Sequence, residues 1–345
     1  MSPPAKPKQF NFSFGTQVTV PDRFLIYGPP GVGKTTLASR FPRPYFLDPE
    51  NGSKNVVPDD QRFSDFDPRN DAENWDRTLA WLSWFADGEH GYKTLVIDTV
   101  DKLFGYAEAW ICLNVGVYDK DTKKTLPVNT LDKVGGGYAR GADALVEQTR
   151  TFLGLLEQIG RSHQMNIVLL SHEHVAQQKV PSGDDFAMWA PNMNKKVLEV
   201  FMREMDYVLH AQPHTIVEEK KGDFGAKRTV TRNSEKRYLY CKTRSDRRTK
   251  CRRPLPDRIE FNYDALLLAM KNAGDPAFVA NALGEKITSV EDEKTRKRML
   301  KSLADCGKDI GAICELETRV DDYLASIAQP ETQAAPEAQS ETTSA

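Results

Sequence analysis

The sequence lacks the cysteine pattern of a disulfide or zinc framework. Its 345 residues include five cysteines, an odd number, and no two of them form a CxxC pair. Small secreted domains and structural zinc sites depend on grouped cysteines, so this pattern favours free thiols in a reducing compartment. The sequence therefore predicts a cytoplasmic location.

Long apolar runs and a strong net charge are missing as well. No apolar run approaches the roughly 18 residues that a membrane helix needs, and the N-terminal MSPPAKPKQF has no apolar segment of a signal peptide. The formal net charge is −2, with 39% hydrophobic and 28% charged residues. We expect neither export nor membrane insertion, and any nucleic-acid signal has to be local.

Short apolar runs alternate with segments of helical spacing. Strands are predicted at RFLIYG, PYFLD, KTLVIDT, NIVLLSHE, MDYVLHA and KRYLYCKT. Between them, GADALVEQTRTFLGLLEQIGRSH places Leu145, Phe152, Leu156 and Ile159 close to helical spacing. The alternation predicts an α/β fold, a mainly parallel twisted sheet flanked by helices.

The same pattern divides the chain into four predicted regions. Residues 1–20 form a Pro- and Lys-containing tail with a short strand, and residues 21–262 form the core. Residues 263–328 read as a small helical C-terminal appendage, and the low-complexity residues 329–345 as a disordered tail.

A phosphate-binding motif follows the first core strand. The segment GPPGVGKT matches GxxxxGK[ST] in full, after an apolar strand and before a helix-compatible segment. Glycines let backbone N–H groups curl around phosphates, and Lys34 neutralises charge on the β- and γ-phosphate oxygens. The predicted ATP-binding residues are Gly28, Pro29, Pro30, Gly31, Val32, Gly33, Lys34, Thr35 and Thr36.

Two residues are the predicted Mg²⁺ ligands. Thr35 offers its hydroxyl, and Asp98 closes the apolar strand TLVID. An acid that ends a strand is by itself more often a turn former or a helix cap. Downstream of a complete phosphate loop, Asp98 becomes the expected Mg²⁺ residue.

ATP hydrolysis also needs a group that activates water. Thr99 stands directly after Asp98, where many AAA-type ATPases carry a glutamate. Glu50 ends the strand after the phosphate-loop helix, and strand ends in such sheets meet at the ligand crevice. The neighbouring Pro49 and the Asn51-Gly52 pair are also typical of a plain turn.

The order GPPGVGKTT, FLDPE, LVIDT, IVLLSHEH and YLYCKTR resembles the RecA-fold recombinases. It closely resembles the phage RecA-like ATPases that are implicated in single-strand annealing and recombination. These are often called phage AAA or nucleotide-binding proteins. The likeness spans residues 21–262. It implies a RecA-like P-loop NTPase fold, a phage-encoded protein in a bacterial cell, and Glu50 as the catalytic carboxylate.

The resemblance also implies a γ-phosphate sensor at the end of the fourth strand. The family usually has Gln or Asn there, whereas this chain has Ser171 and His172, with His174 nearby. We favour His172 as the sensor and keep His174 as the alternative. The two histidines could also face solvent, and a metal site lacks an evident third ligand.

A basic segment lies near the end of the core. Residues 236–258 contain ten Lys or Arg and two Asp. The excess of positive charge can hold the phosphate backbone of a nucleic acid, although a run of charges is usually only a solvated surface. The resemblance implies that Lys242 and Arg244 reach the γ-phosphate of a neighbouring subunit, like an arginine finger in trans. It thus implies a homo-oligomer, either a ring or a filament.

Two long loops match the DNA-facing loops of the family by their order. Residues 114–137 carry Lys120, Lys123, Lys124 and Lys133, which could meet phosphates. Residues 177–195 carry two aromatic residues that could stack on the bases of single-stranded DNA. These are Phe186 and Trp189, with Lys195 and Lys196 nearby. The alternative is that both are flexible surface loops whose aromatic side chains pack on their own domain.

The leading interpretation is an Mg²⁺-dependent ATPase of RecA type on single-stranded DNA, in recombination, annealing or repair. A single-strand DNA-binding protein is a further expected partner. Two alternatives stay open: a P-loop kinase of a small acceptor, and a nucleotide-gated DNA-binding scaffold with little turnover.

Overall fold

The computed structural model describes residues 21–178, 185–221 and 227–328. The strand predicted within residues 1–20 and the predicted tail 329–345 lie outside the described residues, as do residues 179–184 of the second long loop.

The elements follow one another along the chain in an alternating order. The strands are β1 (Arg23–Tyr27), β2 (Pro44–Leu47), β3 (Arg62–Phe63), β4 (Thr94–Asp98), β5 (Val117–Asp119), β6 (Lys124–Leu126), β7 (Asn166–Ser171), β8 (Glu173–Gln178), β9 (Phe186–Pro191), β10 (Tyr207–Lys221), β11 (Lys227–Tyr240), β12 (Lys250–Cys251) and β13 (Arg258–Glu260). The α-helices are α1 (Lys34–Ala38), α2 (Asp71–Asp87), α3 (Val100–Asn114), α4 (Arg140–His163), α5 (Lys195–Glu204), α6 (Tyr263–Lys271), α7 (Pro276–Thr288), α8 (Glu293–Cys306) and α9 (Ile310–Ala328).

By their internal contacts, these elements form two compact units. Unit 1 comprises the described residues up to Ile26 together with Ala38–His172 and Pro191–Asp206. Unit 2 comprises Tyr27–Leu37, Glu173–Ala190 and the described residues from Tyr207 onward.

Unit 1 is built on a parallel sheet. Its strands lie in the order β1, β7, β4, β2, β3, and the pairs β7/β4, β4/β2 and β2/β3 are parallel. Leu47 pairs with Ile97, and Asp98 pairs with Leu170, so β2, β4 and β7 end at the same edge. The predicted α/β architecture with a mainly parallel sheet is confirmed.

An aromatic cluster joins the helices of unit 1. Trp75 of α2 is fully buried, and its ring lies 5.8 Å from that of Phe104 and 6.0 Å from that of Phe152. Phe201 of α5 packs edge-on against Phe104 at 5.4 Å. On α4 the predicted apolar positions are all buried, which confirms the helical spacing found in the sequence.

Unit 2 contains a long antiparallel ribbon and a helical cluster. β10 and β11 pair from His210/Tyr240 to Lys221/Lys227, and β11 pairs with β13. Helices α6 to α9 occupy the predicted appendage, and α7, α8 and α9 share a core of Val279, Leu283, Ile287, Met299, Ile313, Leu316 and Val320. The ribbon is longer than the two predicted strands, because its outer part is polar and gives no apolar signal.

None of the helices in the described residues is long and apolar enough to cross a membrane.

Candidate functional site

The phosphate loop of unit 2 has a backbone that only glycine tolerates well. Gly31 and Gly33 have φ values of +76° and +100°, in the left-handed region. At Gly28 the constraint is space, because a Cβ there would lie 2.3 Å from the carbonyl oxygen of Ala211. The glycine spacing that defines the motif is therefore required by the loop's shape.

Lys34 lies against the loop that it follows. Its side chain is buried, and its ammonium donates to the carbonyls of Gly28 at 2.9 Å and Pro29 at 3.1 Å. Helix α1 begins at Lys34 and is only five residues long, shorter than the sequence suggested. Thr35 is half-buried in its first turn, and Thr36 is exposed.

An arginine that sequence reasoning missed lies on the phosphate loop. Arg237 of β11 donates from Nη1 to the Val32 carbonyl at 2.8 Å. Its guanidinium also lies 5.3 Å from the ring centroid of Phe261. A local motif search cannot find this contact, since the two residues are 205 positions apart.

In unit 1, Glu50 lies in a turn that Asp48 holds. The buried Asp48 carboxylate accepts hydrogen bonds from the Gly52 N–H at 3.1 Å, the Ser53 N–H at 2.8 Å and the Ser53 hydroxyl at 2.6 Å. Glu50 itself is exposed and accepts from the Thr99 hydroxyl at 3.3 Å. The turn thus brings the Glu50 carboxylate to the end of β4.

Asp98 ends β4, and Thr99 connects it to α3. Both side chains are buried, Asp98 being 7% and Thr99 3% exposed. The sequence placed Glu50 and Asp98 at neighbouring strand ends, and the parallel pairing of β2 with β4 provides that arrangement.

His172 follows β7 and is anchored to Asp101 in the first turn of α3. Asp101 accepts from the His172 backbone N–H at 3.1 Å and pairs with its Nδ1 at 2.9 Å. Ser171 is buried and donates to the His172 carbonyl at 2.9 Å. His174 lies on β8 in unit 2, and within the described residues no cluster of three or more His, Cys, Asp or Glu could hold a metal ion.

Asp101 is the second residue that sequence reasoning missed. Its position three residues after Asp98, in the first turn of a helix, was a usable signal, because acids are favoured there.

Lys242 and Arg244 form ion pairs with carboxylates of their own chain. Lys242 pairs with Glu317, whose charge and hydrogen bond raise the pKa of Lys242 although burial by itself would lower it. Arg244 donates from Nε to Asp257 at 3.0 Å and pairs with Asp321. A contact with a neighbouring subunit would require these pairs to break, so the trans role stays a prediction.

Two tyrosines of the basic segment are covered by arginines of the same segment. The Arg258 guanidinium lies 4.7 Å from the Tyr238 ring centroid, and that of Arg247 lies 3.8 Å from the Tyr240 centroid. These ring faces contact the protein's own cations.

The first long loop folds into the β5–β6 hairpin, and all four of its predicted lysines are exposed. In the second loop, Trp189 is 38% exposed and Phe186 is half-buried. Lys195 and Lys196 are both exposed, and Lys196 pairs with Asp143 on α4.

Comparison with known proteins gives a family and structural neighbours that include RadB and FlaH. The RadB recombinase is 12% identical, with a TM-score of 0.32 over 61% of this chain and 87% of that one. The flagellar accessory protein FlaH from Methanocaldococcus jannaschii is 9% identical, with a TM-score of 0.34 over 70% of this chain and 86% of that one. A search of curated protein sequences gave no match. Residues 21–253 match the AAA_24 family, an AAA domain, and the chain therefore belongs to that family.

Proposed function

We propose that the protein is an Mg²⁺-dependent ATPase of RecA type that acts on single-stranded DNA. The complete phosphate loop carries this proposal, with left-handed glycines at its turns and the buried Lys34 seated on its carbonyls. Its backbone N–H groups, from Gly31 to Thr36, would bind the phosphates, and Lys34 would turn to the β- and γ-oxygens.

The Mg²⁺ assignment rests on the chemistry of the donors. Thr35 offers a hydroxyl and Asp98 a carboxylate, and Mg²⁺ prefers oxygen ligands, part of them water. We propose that these two residues hold the ion. When bound, Mg²⁺ neutralises charge on the phosphate oxygens.

Glu50 is the proposed water-activating base. Its exposed carboxylate can take a proton, and the Thr99 hydroxyl orients one of its oxygens. His172 is the proposed γ-phosphate sensor, since Asp101 fixes its ring through Nδ1 and leaves Nε2 as the ring nitrogen for a phosphate contact.

Replacing Glu50 by Gln tests the catalytic assignment. We expect turnover to fall by about a hundredfold or more, the usual contribution of a general base, while ATP binding survives. Lys34→Ala should impair both binding and turnover. Glu89→Gln, an exposed glutamate of unit 1, is the matched control and should leave both unchanged. Normal turnover in Glu50→Gln would refute the assignment.

The DNA part is supported by the exposed lysines of the first loop. We expect DNA-stimulated ATP turnover and retention of labelled single strands at low salt, lost as salt rises. Replacing Lys123 and Lys124 by Gln should weaken retention. The control variant removes the same charge at Lys297 and Lys301 on α8. Absence of both stimulation and retention in the parent would contradict the DNA proposal.

A mixing experiment tests the proposed trans role of Lys242 and Arg244. A Lys34→Ala protein keeps Lys242 but has a damaged ATP-binding site. A Lys242→Ala protein keeps an intact ATP-binding site but lacks the trans residue. If Lys242 acts across subunits in a homo-oligomer, the mixture regains part of the activity that each variant lacks. An inactive mixture of folded proteins would contradict it.

The ion pairs of Lys242 and Arg244 favour one alternative specifically. If they stay paired when ATP binds, a nucleotide-gated DNA-binding scaffold with little turnover becomes the better description. Such a protein would retain DNA only with nucleotide and hydrolyse ATP no faster with DNA than without. Phage origin, cytoplasmic location and a single-strand DNA-binding partner remain predictions from the sequence.

A further inference from the structure

The nucleotide site has a cation in cis that no motif assigns. Nη1 of Arg237 donates to the Val32 carbonyl at 2.8 Å, and a Cβ built on Gly33 would lie 2.7 Å from the same nitrogen. The guanidinium therefore lies against the Val32–Gly33 peptide, directly before Lys34.

Arg237 is held in this place from its other side. Its guanidinium stacks over Phe261, and the Phe261 N–H donates to the Arg237 carbonyl at 3.0 Å. The pairing of β11 with β13 begins at the next residue, Tyr238, opposite Glu260. The side chain thus reaches the loop from a backbone position that is fixed by a strand pair.

The partners of the Arg237 guanidinium differ from those of Lys242 and Arg244, the other two candidate cations. Lys242 and Arg244 each have a carboxylate partner within unit 2. Among the contacts that the described residues make, Arg237 has a carbonyl and an aromatic ring, both uncharged. Among the side chains that the structure describes, no acid forms an ion pair with Arg237.

Peptide geometry turns this contact into a constraint on the loop. In a trans peptide the C=O and the following N–H point in opposite directions. The Val32 carbonyl points toward Arg237, so the Gly33 N–H points away from Arg237. In a phosphate loop such N–H groups bind the anion.

We propose that Arg237 is a positioning residue of the phosphate site: it holds the Val32–Gly33 peptide with its N–H turned toward the bound phosphates. The proposal rests on the proposed function, in that phosphate binds at this loop. Because the effect acts through the loop, it concerns the phosphates of the ligand and not its base or ribose.

Calorimetric binding of two ligands tests this role. ATP carries base, ribose and phosphates, whereas inorganic tripolyphosphate carries only the phosphates. We expect Arg237→Gln to weaken both ligands by the same factor, about tenfold, the value of one hydrogen bond from a charged donor. Arg237→Lys should recover part of the affinity, since an ammonium can still donate to the carbonyl.

Arg258→Gln is the matched control, because Arg258 also stacks on an aromatic ring of this sheet but, within the described residues, makes no hydrogen bond to the loop. The affinities of Arg258→Gln for ATP and for tripolyphosphate should stay within about twofold of those of the parent. Kinetically, Arg237→Gln should raise KM and leave kcat nearly unchanged, as expected when binding of substrate and transition state is weakened equally. A merely structural defect would also lower kcat and the unfolding temperature.

Three results would overturn the proposal: equal affinities of the parent and Arg237→Gln, a loss confined to ATP, or a loss that Arg237→Lys does not reduce. If Arg237→Gln does not fold, Arg237→Lys decides, and it should weaken both ligands equally and by less than tenfold. Failure of the parent to bind either ligand would instead contradict the proposed nucleotide site itself.

Discussion

Lys286 is the side chain whose removal should most disturb the C-terminal helices. It lies on α7, is 8% exposed, and its ammonium is 3.2 Å from Asp257 and 4.0 Å from Glu317, with Asp321 in contact as well. With Lys242 and Arg244 it balances three carboxylates, so Lys286→Met leaves one buried carboxylate without a counter-charge.

The expected cost follows from that imbalance. Removing one partner of a buried ion pair typically destabilises a protein by about 3–5 kcal/mol. A second change, Asp321→Leu, restores the balance, because Arg244 keeps Asp257 and Lys242 keeps Glu317. We expect the double variant to lie within about 1 kcal/mol of the parent, since apolar residues often replace a buried pair at little cost.

Urea unfolding followed by circular dichroism measures both effects. Lys297→Met is the control, since Lys297 pairs with Glu293 on the exposed face of α8, and it should change stability by less than about 0.5 kcal/mol. The reasoning is refuted if Lys286→Met is within about 1 kcal/mol of the parent, or if the double variant is less stable than the single one.

Three further predictions concern the loop and unit 1. Gly28→Ala should abolish ATP binding in calorimetry, because its Cβ would meet the Ala211 carbonyl, whereas Gly52→Ala, which meets open space, should bind as the parent does. Trp75→Ala should lower the free energy of unfolding by about 3–5 kcal/mol, since this fully buried ring contacts two others, and a change below about 1 kcal/mol would contradict the packing. Burial, and then the neighbouring His163, lower the pKa of His90, so stability should fall as the pH drops below about 6.5, where the unfolded chain binds the proton first. His90→Phe, which keeps the stacking on Phe85, should flatten that pH profile in the same unfolding assay.

The sequence was most informative where a structure depends on neighbours in the chain. The phosphate loop has fixed spacing, and its glycines are needed for local backbone angles, so the motif predicts it residue by residue. Glu50 was predicted at a strand end, and the structure adds the Thr99 hydroxyl that contacts it. The helix α4 followed from its apolar spacing alone.

Distant contacts gave no such signal. Lys242 and Arg244 read as exposed charges, although Glu317 and Asp321 on α9, more than seventy residues later, pair with them. Arg237 looked like one more member of a basic run, and its position on β11, which pairs with β10 and β13, is what brings it to the loop. Charge runs reveal where cations are in the sequence but not which carboxylates neutralise them.

The interleaving of the two units has a consequence for how the protein is made. The chain changes unit after Ile26, Leu37, His172, Ala190 and Asp206, so neither unit corresponds to one continuous stretch of the gene. Gly28 and Val32 leave the ribosome early. Gly28 lies against Ala211 and Val32 is hydrogen-bonded to Arg237, and both of these residues emerge only after more than half of the chain has been synthesised. Nascent chains therefore carry an unfinished phosphate loop until Ala211 and Arg237 have been synthesised and released.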